Sequence, residues 1–339
     1  MADSDVAAAA PAPASGIALE ALLRAVEASF GTSPDRVTAP GGRRRDSLRV
    51  HLEGRSVIAT HRKIAQRRAR EIAFLERMND AGAPVPRLLG QVGEILFQSD
   101  AGSRRLTAEL ARSTGEAREA LLARSFESLW RIKDAARRSG ILKLAPPIAL
   151  SARWLGNFAV APRRLAKSFG MPSPSVAWND LAQSLAALPA EFVKWDARPG
   201  NAAIGPDGVP IWFDWEHYGR RAGVEDFAFL IADEFWPEPP ETSLRLFRET
   251  APAKGRALEP FLTRFATVHL ASRLRLIHGE WITRGWIAAE KARRYDYIGN
   301  APELVRRLLR HGAELAERDP LTRPLAQWFR DFPDPDHWG

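Results

Sequence analysis

The sequence predicts an α+β protein with two lobes, a small β-rich N-lobe followed by a large, mainly helical C-lobe. Short strand patterns and turn signals surround one long helical pattern up to residue 103, and helical periodicity dominates from residue 104 onwards. A β-like island at residues 192–213 interrupts the helical part. We therefore expect an N-lobe at residues 17–103 and a C-lobe at residues 104–339. The alanine- and proline-rich residues 1–16 are expected to form a disordered tail.

The N-lobe elements follow from alternation and turn chemistry. A short helical pattern comes first, then three strand patterns, one amphipathic helix and two further strand patterns. The long helix stops at the sequence Ala-Gly-Ala-Pro, which cannot continue it. The predicted order is helix 17–30, strands 35–38, 47–52 and 56–60, helix 64–80, and strands 85–90 and 94–98.

The C-lobe is periodic over residues 116–138, 176–188, 258–284 and 304–317, as expected of amphipathic helices. Within the β-like island, the sequence Gly-Pro-Asp-Gly at residues 205–208 separates two apolar runs. That arrangement predicts a β-hairpin. A hairpin set among helices marks this segment as unusual.

Composition excludes several kinds of chemistry. The chain has no cysteine, so disulfides, thiolate metal sites and thiol catalysis are excluded, and its seven histidines form no short-spaced ligand pair. The net charge of +8 could indicate nucleic acid, but no nucleic-acid motif accompanies it, and arginine-rich helix surfaces explain it equally well. No secretory signal or long apolar stretch is present. We expect a cytoplasmic protein without a membrane or nucleic-acid partner.

Asp196, Asn201 and Asp214 are the residues that suggest a reaction. Asp196 and Asn201 enclose one tight loop, and the hairpin is expected to return Asp214 beside them. Phosphoryl transfer needs such a set, because one carboxylate accepts the proton of the attacking hydroxyl while two oxygen ligands hold Mg²⁺. Aspartate and asparagine are also ordinary turn residues, so the combination carries the hypothesis. An aspartate after three apolar residues, as at Asp214, is costly without a partner.

The stretch WDARPGNAAIGPDGVPIWFDWEHYG, residues 195–219, resembles the catalytic segment of the aminoglycoside phosphotransferase family and its relatives, the choline and homoserine kinases. The resemblance extends over residues 40–231 and includes the sequence GAPVPRLLG. It implies a protein-kinase-like fold and ATP-dependent transfer of a γ-phosphoryl group to a hydroxyl of a small molecule, with Mg²⁺ as cofactor. By position, Asp196 would be the catalytic base, Asn201 and Asp214 the magnesium ligands, and Asp226 a structural residue of the active-site loops.

The resemblance also assigns residues of the N-lobe. Glu71 would be the helix carboxylate that pairs with a lysine of the third strand. The backbone from Gln98 to Asp100 would meet the nucleotide base. Gly41 and Gly42 would cover the phosphates with amides that a side chain would obstruct.

Two departures from the family pattern matter. Lys194 replaces the histidine two residues before the catalytic aspartate, and the third strand has no lysine at the expected place. His61 is the candidate replacement in one alignment, and Arg62 or Lys63 could also reach the phosphates. Because phosphoryl transfer depends on positioning and electrostatics, the loss of this cation leaves open an alternative, a pseudokinase that binds nucleotide or metabolite.

The only sequence feature that bears on the acceptor is the charge of two segments. Segments 153–167 and 273–294, which are expected on the acceptor side, are rich in arginine and poor in acids. This composition favours a neutral or anionic acceptor, such as a sugar or a phosphorylated metabolite, over a polycationic antibiotic. Trp195 and Trp215 flank the two aspartates and could line the acceptor pocket.

Overall fold

The computed structural model describes residues 18–39 and 47–338. The predicted tail at residues 1–16 and the candidate phosphate-covering residues Gly41 and Gly42 lie outside this range. The described chain divides into two compact units. The first comprises the described residues up to Asn79 together with Pro86–Asp100, and the second comprises Asp80–Val85 and the chain from Ala101 onwards.

The first unit is a five-stranded antiparallel sheet with two helices. The strand order is β1-β2-β3-β5-β4, so the third strand lies at the centre of the sheet. Gly54 turns β2 into β3 with a φ of +70°, a conformation that glycine adopts without steric penalty. The elements are α1 (Leu19–Phe30), β1 (Arg36–Thr38), β2 (Ser47–Leu52), β3 (Arg55–His61), α2 (Ala65–Asp80), β4 (Leu88–Val92) and β5 (Ile95–Ser99).

The two faces of this sheet have different neighbours. Alternate residues of β2 and β3, among them Val50 and Val57, form one apolar cluster with Leu22 and Val26 of α1. The remaining residues of β2 and β3 point to the opposite face of the sheet, because side chains alternate along a strand. On that opposite face Ile58 is paired with Gln98, whose side chain reaches helix α2.

The second unit is mainly helical. Its longest helix, α12, packs against α7, α9 and α14, and so forms the centre of the unit. The helices are α3 (Leu106–Arg112), α4 (Gly115–Arg138), α5 (Ile141–Leu144), α6 (Ala152–Ala159), α7 (Ala161–Ser168), α8 (Trp178–Ser184), α9 (Glu225–Ile231), α10 (Pro240–Thr250), α11 (Ala253–Arg256), α12 (Glu259–Arg284), α13 (Ala289–Tyr295), α14 (Pro302–Glu317) and α15 (Pro324–Arg330).

Four short strands lie between α8 and α9. They are β6 (Glu191–Val193), β7 (Ala202–Ile204), β8 (Pro210–Trp212) and β9 (Gly219–Arg221). β7 pairs with β8 as an antiparallel hairpin, and β6 pairs antiparallel with β9. The hairpin predicted from the Gly-Pro-Asp-Gly sequence is therefore present.

One predicted helix is shorter than its periodicity suggested. Residues 176–188 were expected to be helical throughout, but α8 ends at Ser184. Pro189 follows, and a proline disfavours helical conformation in the residue before it. Among residues 18–39 and 47–338, no helix has both the length and the apolar character needed to cross a membrane.

Candidate active site

The loop between β6 and β7 presents Asp196. Trp195 and Asp196 have φ values of +60° and +76°, in the left-handed region that residues with a Cβ seldom adopt. A single 3₁₀ turn, Pro199–Asn201, then leads into β7. Strained backbone of this kind costs about 1–3 kcal/mol per residue and persists where surrounding contacts enforce it.

Asn201 is hydrogen-bonded to Asp196. Its Nδ2 donates to the main-chain oxygen and to Oδ2 of Asp196, each at 3.0 Å. Both amide hydrogens are therefore directed at Asp196, and the amide oxygen is the remaining polar atom of the side chain. Asn201 is only 7% exposed.

The β7–β8 hairpin brings Asp214 to the same end as Asn201. Ala202 pairs with Trp212, and the amide of Phe213 donates to the carbonyl of Asn201 at 3.0 Å. Asp214 follows immediately, with a φ of +63°. The predicted grouping of Asp196, Asn201 and Asp214 at one end of the hairpin is thus what the structure shows.

Lys194 joins the two loops. Its Nζ donates to the main-chain oxygen of Asp214 at 2.8 Å and lies 4.9 Å from the ring centroid of Trp215. Lys194 is fully buried. The lysine that replaces the family's histidine therefore has a defined partner, a carbonyl in the second loop, which the sequence alone did not indicate.

Asp226, at the start of α9, holds the main chain of the Asp196 loop. Its Oδ2 accepts from the amide of Lys194 at 3.0 Å, and its Oδ1 accepts from the amide of Trp195 at 2.9 Å. Lys133 of α4 supplies a third contact, with Nζ 2.5 Å from Oδ2 of Asp226. Both partners of this ion pair are buried, so the carboxylate is positioned by three donors.

A second buried group of charges adjoins the loop. Arg198 donates to Oδ2 of Asp233 at 2.8 Å, and Arg273 of α12 makes a two-pronged contact with Glu234, with its shortest distance 2.6 Å. Burial opposes the charge of Arg198, but Asp233 and Glu234 outweigh it and raise the pKa of Arg198. Burial raises the pKa of Asp233, whereas Arg273 outweighs burial at Glu234 and lowers its pKa to about 2.

Gly200 is closely approached by Asp296, the residue that ends α13 in a left-handed conformation. A methyl group built on Gly200 would overlap Oδ1 of Asp296. A side chain at position 200 therefore requires the carboxylate of Asp296 to move. The loop that carries Asp196 thus contacts residues far along the chain.

Of the two tryptophans that flank the aspartates, only Trp195 is partly exposed. Trp215 is fully buried, and its indole N–H donates to the carbonyl of Trp212 at 2.7 Å. The ring of Trp195 lies 5.7 Å from Trp154 and 5.2 Å from Phe229, measured between centroids. Trp215 is therefore a core residue, and Trp195 borders the surface next to Asp196.

In the first unit, Glu71 pairs with Arg62. Nε of Arg62 lies 2.6 Å from Oε2 of Glu71, and Nη2 lies 3.4 Å from Oε1. Gln98 donates from Nε2 to the same Oε1 at 3.1 Å. Glu71 is 1% exposed, so this carboxylate is buried with its partners around it.

The other first-unit candidates have different partners. His61, the last residue of β3 and one candidate for the missing lysine, directs Nε2 to Glu94 at 2.8 Å, whereas the next residue, Arg62, meets Glu71. Of the three candidate replacements for the lysine, Arg62 is the one that the structure pairs with Glu71. Asp100 accepts from Arg49 and from Ser56, the latter at 2.6 Å, so its side chain is used within this unit.

The donor chemistry at Asn201 and Asp214 fits Mg²⁺. The ion prefers hard oxygen ligands, uses one or two protein side chains, and takes the rest from water and substrate phosphates. The orientation of Asn201 leaves its amide oxygen for this purpose. Within residues 18–39 and 47–338, no cluster of three or more His, Cys, Asp or Glu side chains is placed to hold a metal.

Comparison with solved structures identifies the fold. An aminoglycoside phosphotransferase from Alicyclobacillus acidocaldarius is similar at a TM-score of 0.51 and 12% identity, over 86% of this chain and 94% of that one. The GDP complex of aminoglycoside 2′-phosphotransferase-IIIa is similar at a TM-score of 0.54 and 13% identity, over 77% and 92%. Spectinomycin phosphotransferase APH(9)-Ia, in complex with ADP and spectinomycin, is similar at a TM-score of 0.54 and 10% identity, over 84% and 94%.

No protein-family model matches the sequence, and no curated protein matches it. At identities of 10–13% the structural likeness establishes the fold alone. That fold is the protein-kinase-like fold of the small-molecule phosphotransferases. The predicted α+β class and the resemblance seen in the sequence are confirmed at this level.

Proposed function

We propose that this protein is a phosphotransferase that moves the γ-phosphoryl group of ATP to a hydroxyl of a small molecule. Asp196 acts as the base, and Asn201 and Asp214 hold Mg²⁺. The observation that carries the proposal is the β7–β8 hairpin, which places Asn201 and Asp214 at one end, with Asn201 hydrogen-bonded to Asp196. A buried asparagine and two aspartates held in left-handed backbone are costly unless function requires them.

The residues of the two loops have different roles in the proposed transfer. Asp196 orients the acceptor hydroxyl and accepts its proton as the oxygen attacks phosphorus. A bond from the acceptor oxygen to the γ-phosphorus forms, and the bond from that phosphorus to the bridging oxygen breaks, leaving ADP. Bound Mg²⁺ would neutralise charge on the phosphates. Asp226 and Lys194 keep the two loops in place through main-chain contacts.

Arg62 supplies a cation in the first unit. We propose that it contacts the nucleotide phosphates and that Glu71 fixes its side chain, as a lysine–glutamate pair does in other kinases. The relatives crystallised with GDP or ADP support a nucleotide as the phosphoryl donor.

The experiment is nucleotide binding followed by turnover. A thermal shift with ATP is expected to require Mg²⁺ and to be lost in Asp214→Ala. With an acceptor found by screening hydroxyl compounds for ATP consumption, Asp196→Asn is expected to lower kcat by about 10³-fold or more while ATP still binds. Absence of any Mg²⁺-dependent nucleotide binding by the wild-type protein would contradict the proposal.

The alternative is a pseudokinase that binds nucleotide or metabolite without transfer, and one observation favours it. The cation that pairs with Glu71 is an arginine, which differs from lysine in shape and hydrogen bonding. Under this alternative, ATP binds with Mg²⁺ but the wild-type protein and Asp196→Asn consume it at the same slow rate. A difference between the two rates excludes the alternative.

A further inference from the structure

Helix α7 borders a surface cavity that carries three cations. The cavity has a volume of about 540 Å³, and its lining includes Arg163, Arg164 and Lys167, together with the chain just after the helix. All three side chains are exposed. The opposite side of α7, through Leu165 and Ala166, is buried and packs towards α12. The helix is therefore fixed in place with its cationic side turned towards the cavity.

The three cations that line the cavity carry charge that no acidic side chain of the described residues offsets. In residues 18–39 and 47–338, no carboxylate pairs with Arg163, Arg164 or Lys167, and the one polar partner is the amide oxygen of Asn157, which accepts from Arg164 at 2.5 Å. By contrast Arg264 pairs with Asp319 at 2.7 Å. Uncompensated like charges at positions i and i+4 of a helix repel each other.

The cavity lies on the same helical pair as the aromatic neighbour of the catalytic loop. Trp154 of α6 contacts the ring of Trp195, the residue directly before Asp196. Val160, at the end of α6, lines the cavity. Val160 lies six positions after Trp154 along the helix, a rise of about 9 Å. One small molecule of one or two rings could therefore extend between the two.

We propose that this cavity, the α7 cation pocket, binds an anionic group of the acceptor, a phosphate or a carboxylate. This inference rests on the proposed phosphotransfer and names the class of acceptor. Guanidinium groups bind phosphate and carboxylate oxygens through paired hydrogen bonds, and an ammonium group adds a point charge. An anion in the pocket removes the repulsion among the three cations. A polycationic acceptor would increase that repulsion.

Direct binding is the first test. Inorganic phosphate is titrated without nucleotide or Mg²⁺ and followed by calorimetry. The triple variant Arg163→Ala/Arg164→Ala/Lys167→Ala is expected to raise the Kd at least tenfold. The matched control is Arg310→Ala/Arg318→Ala/Arg323→Ala, which removes the same charge from exposed sites on the second unit. This control is expected to change the Kd less than twofold.

Acceptor kinetics provide the second test. Matched compounds such as glucose, gluconate and glucose 6-phosphate are compared as acceptors. We expect an anionic member of such a set to be preferred, and its KM to rise at least tenfold in the triple variant while the KM for ATP stays unchanged. The ratio of kcat/KM for glucose 6-phosphate to kcat/KM for gluconate identifies which anion the pocket prefers.

The outcomes separate the two proposals. The pocket is overturned if the triple variant binds phosphate like the wild type, if the control variant loses as much affinity, or if neutral acceptors are preferred and unaffected by the triple variant. The proposed function fails separately if Mg²⁺-dependent ATP binding is absent. In that case phosphate binding lost only in the triple variant still supports an anion site.

Discussion

Nε of Arg62 lies 2.6 Å from Oε2 of Glu71, so the residue directly after the third strand forms an ion pair with helix α2. Gln98 donates to the other oxygen of the same carboxylate. Glu71 is therefore held by a guanidinium on one side and an amide on the other. Among the neighbouring basic residues that the sequence left open, Arg62 is therefore the partner of Glu71.

If Arg62 positions the nucleotide phosphates as proposed, its replacement by alanine is expected to raise the KM for ATP and lower kcat/KM by about 10²-fold or more. Arg62→Lys should recover most of this loss, since it retains the charge beside Glu71. Steady-state kinetics with varied ATP measures both. Lys63→Ala is the comparison, since Lys63 is exposed and adjacent. A larger rise in the KM for ATP in Lys63→Ala than in Arg62→Ala would contradict the assignment of the phosphate contact to Arg62.

The Lys133–Asp226 ion pair is expected to be needed for stability. Lys133→Met leaves the carboxylate of Asp226 buried without its cation, and breaking a buried pair from one side costs about 3–5 kcal/mol. Urea unfolding measures the free energy of unfolding. The exposed Lys143→Met serves as the control and should change it by less than about 0.5 kcal/mol. A loss below about 1 kcal/mol in Lys133→Met would show that Asp226 is stable without its cation.

The contact between Gly200 and Asp296 can be tested by a pair of substitutions. Gly200→Ala is expected to lower kcat and to destabilise the protein by about 1–3 kcal/mol, because the added methyl overlaps Oδ1 of Asp296. Asp296→Ala removes that atom. The double variant should therefore recover activity and melting temperature relative to Gly200→Ala. Failure of this rescue would mean that the loop itself, and not Asp296, rejects the side chain.

His269 should make stability depend on pH. Burial, with Arg273 and Arg198 nearby, lowers its pKa to about 3 from an ordinary 6.5. Below pH 6.5 the unfolded chain takes up a proton that the folded protein refuses, so this stabilising contribution is present above pH 6.5 and is lost as pH falls towards 3. Between pH 7.5 and 5 the loss is about 2 kcal/mol.

The comparison for this effect is His269→Gln. Unfolding free energies of the wild type and the variant, measured in urea at pH 7.5 and 5, should differ in their pH dependence by about this amount. His311 has a pKa that burial lowers in the same direction, so it contributes a similar slope to both proteins and cancels in the difference. Equal pH dependence in the two proteins would show that His269 is protonated in the folded state.

Local sequence signals were sufficient to predict the strands and turns around the candidate site. The Gly-Pro-Asp-Gly turn between two apolar runs predicted the hairpin, and its register then decided that Asn201 and Asp214 lie at the same end. Alternation along the third strand predicted the strand but not which basic residue meets Glu71. That outcome depends on which face of the sheet receives α2, which is a tertiary property.

The buried charges could not be predicted. Arg198, Arg273 and Arg264 look like surface arginines in the sequence, yet their partners lie 35, 39 and 55 positions away. Long-range pairing of this kind leaves no periodic signal, because each residue is placed by the packing of a different helix. Lys194 was visible only as a departure from a motif, since its acceptor is a main-chain oxygen.

The left-handed backbone at Asp214 determines how substitutions at this position affect thermal stability. Lys194 donates to the main-chain oxygen of Asp214, and this contact does not depend on which side chain residue 214 carries. Glycine there would relieve the φ of +63° at no steric penalty. Asp214→Gly should thus yield a protein that is inactive yet melts higher than the parent. Under the proposed function, the aspartate at this left-handed position provides a metal ligand at a cost in thermal stability.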